Sequence, residues 1–182
     1  MAERLATEIA DIVERVDATP EIKQEYLRRI AEGLLTRDEN PQTHYCVYFA
    51  GFSPEDMEVF IGHHKKSGLW LFNGGHIDKG ETANEALLRE IREEWGTPDM
   101  PKDAIGEPQL LTITKIDNPK QTCKTHYDIW YFIRLDKNTF NPDRDKLAKE
   151  FHETRWASLD EARKLITDPS TLEAIDYLEE SK

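Results

Sequence analysis

A chain of 182 residues is long enough for one domain with an extension and a sizeable core. Its 36 acidic residues outnumber 24 lysines and arginines, for a formal net charge of −12. That balance argues against non-specific nucleic-acid binding and against anionic membrane surfaces, both of which need positive patches. The two cysteines, Cys46 and Cys123, lack ligand-like spacing and lie in apolar, strand-like stretches, so reduced, buried thiols are expected. The N-terminus is amphipathic and charged rather than signal-like, and no apolar run approaches membrane-spanning length. A cytoplasmic protein is the plain expectation.

In chain order, residues 3–16 read as an amphipathic helix with Leu5, Ile9, Ile12, Val13 and Val16 on one stripe. Thr19-Pro20-Glu21 opens a second helix, because Thr caps and Pro suits the first position. Its stripe is Ile22, Tyr26, Leu27, Ile30 and Leu34. The polar stretch 36–41 reads as a linker, so residues 1–40 form a helical extension and residues 41–182 the main domain. The extension is expected to pack as a cap on that domain, the other reading being a contact with a second copy of the chain in a homodimer.

Strands are expected over 44–52, 58–64 and 69–72, with a turn at Ser53-Pro54-Glu55-Asp56. His63-His64-Lys65-Lys66 sits at a hairpin end and reads as a solvated turn rather than a phosphate or metal site. Further strands are expected over 109–116, 125–135 and 154–157, and the polar stretch 136–150 reads as an irregular loop. Ser158 and Glu161 form a capping box that opens a helix to about residue 166. Asp168-Pro169 starts a last helix with Leu172, Ile175 and Leu178 on its core face. A mixed sheet with helices on both faces, an α/β fold, fits this order. Alternation along 125–132 puts His126, Asp128, Trp130 and Phe132 on one face and Thr125, Tyr127, Ile129 and Tyr131 on the other. His126 and Asp128 either satisfy each other or a loop, or face a substrate pocket with Trp130 or Trp70 as its apolar wall.

Residues 75–97 are the most specific stretch. They comprise Gly75, five residues, Glu81, seven residues, and then Arg89-Glu90-Ile91-Arg92-Glu93-Glu94-Trp95-Gly96. A glycine-rich turn lets backbone approach a ligand closely. Thr82 and Glu85 form a capping box, and Gly96 followed by Pro98 stops the helix. Leu87, Leu88, Ile91 and Trp95 share the core stripe. Glu90, Glu93 and Glu94 share a neighbouring arc, with the small Ala83 and Ala86 beside them. Three like charges near the negative end of a helix dipole cost stability unless a cation offsets them. Acids so placed suit a hard divalent ion, and loop plus ion is a device for holding a polyphosphate.

This stretch resembles the signature of the Nudix hydrolases, which cleave nucleoside diphosphates linked to another group. The likeness spans 23 residues and departs only at Thr97, where the family usually has an aliphatic residue. Just upstream, Asn73 stands where proline is common. The resemblance implies a Nudix-like α/β/α sandwich preceded by the helical pair. It implies that Glu90, Glu93, Glu94 and the carbonyl of Gly74 bind Mg²⁺ or Mn²⁺. It also implies that Glu81 supports the metal shell or loop and that Arg89 orients the carboxylates. Gly75, Glu81, His126, Asp128 and Trp70 are the substrate-binding set expected here, and the general base is left open among the glutamates.

The leading expectation is therefore a metal-dependent pyrophosphohydrolase acting on a small nucleotide or nucleotide derivative, with no nucleic-acid or membrane partner. The substrates implied are nucleoside triphosphates, nucleotide sugars, dinucleoside polyphosphates and ADP-ribose. A non-catalytic nucleotide sensor is one alternative, although such a protein has no need of the carboxylates kept here. A prenyl diphosphate isomerase of related fold is another, but neither Cys46 nor Cys123 lies in a motif matching that chemistry. A hydrolase of RNA 5′ ends is a third, against which the negative charge speaks.

Overall fold

The structure is a computed structural model and describes residues 2–97, 100 and 102–181. Pro98, expected just past the signature helix, lies outside the described residues. The chain opens with α1 (Ala2–Arg15) and α2 (Pro20–Glu32), followed by strands β1 (Thr43–Ser53), β2 (Glu58–His64), β3 (Trp70–Leu71) and β4 (Asn73–His76). Then come α3 (Ala83–Glu90), which runs directly into a π-helical turn (Ile91–Trp95), a short α4 (Lys102–Ile105), and strands β5 (Leu110–Lys115) and β6 (Thr125–Arg134). The chain ends with α5 (Arg144–Glu150), β7 (Phe151–Ser158), α6 (Leu159–Leu165) and α7 (Pro169–Glu180).

The strands form one mixed sheet with the path β3-β2-β1-β6-β5, while β4 pairs with β1 and β7 with β2. The long parallel pairing of β1 with β6 runs from Thr43 opposite Thr125 to Phe52 opposite Arg134. Both strands are covered on both faces, and every β6 residue but Arg134 is buried. Tyr45, Val47 and Phe49 of β1 join Tyr127, Ile129, Tyr131 and Ile133 of β6 beneath α1, α2 and α3. On the opposite face Ala50, Trp130 and Phe132 pack beneath α6 and α7 through Ala162, Ala174, Ile175 and Leu178. Helix, sheet and helix thus make the three layers of an α/β/α sandwich.

The N-terminal pair is part of this core. Leu5, Ile9, Ile12, Val13 and Val16 of α1 are buried in the same cluster as Leu87, Ile91 and Trp95. The expected α2 stripe needs correction, because Leu27 is 48% and Leu34 is 59% exposed. Gly33, at φ +70°, ends α2 before Leu34. Tyr26 is buried and Ile22 and Ile30 pack against the core as expected, but Arg29 is buried as well, and its guanidinium donates to the carbonyls of Gly33, Leu34 and Thr43 at 2.7 Å each. Its two terminal nitrogens are thus satisfied by backbone, while the buried Nε has no partner.

The expected irregular loop 136–150 also needs correction. Asp143 accepts from the Asp145 and Lys146 amides and caps α5, which buries Leu147. Its single buried residue gave no apolar stripe for periodicity to detect. The expected strand 69–72 is β3, paired with β2, and the glycine stretch after it forms a further strand, β4, which lies antiparallel beside Cys46 to Phe49.

Candidate active site

The site is built where β4 passes beneath α3. The start of α3 is held by the reciprocal capping box of Thr82 and Glu85. A second cap comes from α1, because Glu8 accepts from the Ala83 amide at 2.6 Å and the Asn84 amide at 3.2 Å. At its other end α3 does not continue as a regular α-helix. Ile91–Trp95 forms one wider π turn, stopped by Gly96 at φ +71°. Such single turns within α-helices are frequent at functional sites. Here Glu90 and Glu94 are buried, while the Glu93 side chain is 60% exposed.

Both buried carboxylates face the backbone of β4. A Cβ on Gly75 would lie 2.1 Å from Glu90 Oε1, so only glycine leaves room for that carboxylate. Glu94 Oε2 accepts from Asn73 Nδ2 at 2.6 Å. Asn73 is itself 2% exposed, so its amide is a fixed donor. Burial pushes the Glu94 carboxyl up to about 8, the Asn73 hydrogen bond opposing this and the Glu90 charge adding to it. Burial also raises Glu90, against the pull of Arg89.

Arg89 is the hub. Its Nε and Nη2 donate to the two oxygens of Glu81 at 2.8 and 2.9 Å. Nη1 donates to Glu90 Oε1 at 2.7 Å and to Glu93 Oε2 at 3.3 Å. Nη2 also reaches the carbonyl of His76 at 2.9 Å. Glu81 in turn accepts from the Asp78 amide at 3.0 Å, closing the loop between β4 and α3. One guanidinium therefore ties the loop, the helix and β4 together through a planar fork that lysine cannot reproduce.

The chain matches the NUDIX domain family over residues 43–177. It belongs to the Nudix family. It is 34% identical over 110 residues to an RNA pyrophosphohydrolase of Nitratiruptor sp., covering 57% of this chain and 68% of that protein. It is 42% identical over 108 residues to an RNA pyrophosphohydrolase of Campylobacter jejuni subsp. doylei, covering 50% and 65%. The chain thus spans about two thirds of the length of these curated relatives. Among solved structures, the NUDIX domain of Shewanella oneidensis NrtR, complexed with ADP ribose, shares the fold with a TM-score of 0.56. Its identity is 16%, over 77% of this chain and 88% of that one.

As a Nudix hydrolase, the protein acts on acid anhydrides in phosphorus-containing substrates. The family normally uses a divalent metal. The donor chemistry fits such an ion: of the two buried carboxylates, Glu90 has Arg89 beside it, and Glu94 has a neutral amide rather than a cation. Oxygen donors of this kind suit hard dications.

The structure brings Glu81, Arg89, Glu90, Glu94, Gly74 and Gly75 together, with Glu93 at the solvent side. It places the other expected residues elsewhere. Asp128 is fully buried on the opposite sheet face, where Oδ2 accepts from the hydroxyls of Thr114 and, at 3.3 Å, Thr112. Burial pushes its carboxyl up to about 8. His126 lies on that same face among His44 and His76, and burial holds it down at about 3. Trp70 is at the sheet edge, stacked on His63 at 5.5 Å between centroids, with Arg155 4.9 Å from its ring.

Three participants escaped the sequence. Asn73 was visible as a departure from proline, but nothing in the sequence aimed it at Glu94. Glu8 lies far along the chain from the helix it caps. Cys123 is only half-buried and outside any strand, contrary to the expected buried strand thiol, and lies against imidazoles brought in by the sheet register. Among the described residues no helix is long and apolar enough to cross a membrane.

Proposed function

We propose that this Nudix hydrolase uses Mg²⁺ or Mn²⁺, held by Glu90, Glu93, Glu94 and the Gly74 carbonyl, to hydrolyse the diphosphate linkage of a nucleotide. The observation that carries the reading is the pair of buried carboxylates, Glu90 and Glu94, against the side-chain-free backbone of β4. When bound, the cation supplies neutralisation of phosphate oxygens and acidifies water. The chain's own residues do the rest. Glu94 Oε2 is engaged by Asn73, which leaves Oε1 to take a proton from the attacking water. Burial pushes this carboxyl up to about 8, which makes it a strong base once it is ionised. Arg89 holds Glu90 and Glu81 in register and fixes the loop on which the phosphates rest. Products are two phosphate-terminated fragments.

A small nucleotide or nucleotide derivative is the substrate class this reading favours. A second reading, hydrolysis at the 5′ end of RNA, is favoured by the names of the relatives at 34% and 42% identity. The net charge of −12 opposes long contacts with an RNA backbone, so such a reaction is restricted to the terminal nucleotides. The sensor alternative is disfavoured by the full carboxylate set. A substrate panel with Mg²⁺ or Mn²⁺ tests the proposal: nucleoside triphosphates, dinucleoside polyphosphates, nucleotide sugars, ADP-ribose and 5′-triphosphate RNA. Release of phosphate, pyrophosphate or nucleoside monophosphate from one of these supports it. Metal-dependent cleavage confined to RNA selects the second reading. Nucleotide binding without turnover on any member selects the sensor.

The helical pair at residues 1–40 is proposed as an extension that caps the domain at 41–182, supported by the shared core and by Glu8 at the start of α3.

A further inference from the structure

We propose that His44, His76, Cys123 and His126 form a second metal site, on the sheet face opposite the carboxylates, for a Zn²⁺-class transition-metal ion. Each residue offers one ligand atom, and these four atoms all lie within 4.8 Å of one another. Cys123 Sγ is 3.7 Å from Nε2 of both His44 and His76. The three imidazole rings meet pairwise at centroid distances of 4.8, 4.9 and 5.2 Å. In a tetrahedral zinc site the metal–nitrogen and metal–sulfur bond lengths set donors about 3.5 Å apart. The sulfur-to-nitrogen spacing seen here is already close to that.

Two details point to a ligand rather than to stacked rings. His126 is 8% exposed, and its buried Nε2 has no hydrogen-bond partner. A buried polar atom of this kind calls for an occupant. His44 is 0% exposed, and its Nδ1 lies 2.8 Å from the Asn40 carbonyl. That carbonyl can only accept, so Nδ1 carries the proton and the Nε2 lone pair is turned toward Cys123. This is the outer-shell arrangement that orients ligating histidines. Asn40 is in turn fixed by its side chain, which accepts from the Gln42 and Thr43 amides.

The donor set, three imidazoles and one thiolate, is softer than the glutamates of the catalytic site. It selects zinc-like ions over magnesium. Ligation through His76 Nε2 requires a proton on Nδ1, so Arg37, 3.4 Å from that atom, turns instead to Asp78, now 3.8 Å away. The ligands come from β1, β4, the connection before β6, and β6 itself. An ion there ties four segments together, including the strand whose His76 carbonyl receives Arg89. Cys46, His126 and Asp128 form an overlapping set, in which Asp128 Oδ2 is engaged by Thr112 and Thr114 while Oδ1 is unpartnered.

The test uses the full chain, stripped of metal and titrated with Co²⁺ in excess Mg²⁺. The expected result is one equivalent bound, with a thiolate-to-metal band in the near ultraviolet and tetrahedral absorption in the visible, displaced by one equivalent of Zn²⁺. Cys123→Ser removes the ultraviolet band, and His126→Gln weakens binding at least about 10-fold. Cys46→Ser and Glu94→Gln leave the band intact. Because Glu94 belongs to the carboxylate site, failure there and failure here are distinguishable. The wild-type spectrum decides even if a variant does not fold. Absence of the thiolate band in the wild-type protein overturns the proposal. So does a band that survives Cys123→Ser, or that is lost in Glu94→Gln.

Discussion

At the scale of single residues, Gly75 is the most constrained position of the active site. A methyl group there meets Glu90 Oε1 at 2.1 Å and must displace the carboxylate. Gly75→Ala is expected to lower kcat/KM by at least about 10-fold while shifting the melting temperature little, since Glu90 is at the edge of the core. Near-normal kinetics in this variant would show that Glu90 is free to move without consequence. Asp128 carries a different prediction. Its folded-state carboxyl is pushed up to about 8 from an ordinary value of 3.8, so the folded protein holds a proton that the unfolded chain releases. That stabilisation is complete below about pH 4 and is lost as pH rises toward 8, at up to about 1.4 kcal/mol per pH unit. On metal-free protein, the stability difference between wild type and Asp128→Asn should therefore tilt toward the variant with rising pH. A difference that stays flat from pH 4 to 8 contradicts the buried neutral acid. Kinetics of the same variant, with those of His126→Ala, decide whether this face also contacts substrate.

At the scale of elements, most of the helix α3 was legible in the sequence. The capping box, the apolar stripe and Gly96 mark its ends and its buried face. The π turn was not legible, because an inserted wider turn changes which carboxylates align without changing the residue types that signal a helix. Within this turn Glu94 is buried against β4, while Glu93 is largely exposed and keeps its place beside Glu90 through Arg89. The reach of α1 to α3 was equally hidden, since a side-chain cap from 75 residues away leaves no local pattern. Glu8→Ala removes that cap and is expected to cost about 1 kcal/mol of stability, read in a denaturant titration. An unchanged midpoint would mean that the Thr82 capping box alone fixes α3.

At the scale of the whole molecule, the order of helices and strands gave the layered sandwich, because alternation and helical stripes report burial directly. The face assignment along β6 held: Tyr127, Ile129 and Tyr131 join the α1–α3 core, and Trp130 and Phe132 the α6–α7 core. What brings His44, His76, Cys123 and His126 together is sheet register, which sequence spacing does not encode. The acidic charge of the whole chain makes a further demand. Mg²⁺ should raise the melting temperature by binding the folded carboxylates, and Glu93→Gln should weaken that response. A full Mg²⁺ shift in Glu93→Gln would remove Glu93 from the ion's ligands.

The central claim is that the carboxylates facing β4 perform metal-dependent anhydride hydrolysis. It is tested most directly by turnover of wild type and Glu94→Gln on one confirmed diphosphate substrate, with Mg²⁺ present and after chelation. The account predicts wild-type activity that vanishes on chelation and falls at least about 100-fold in Glu94→Gln at unchanged folding. Near-full turnover by a folded Glu94→Gln, or wild-type turnover indifferent to chelation, would contradict it.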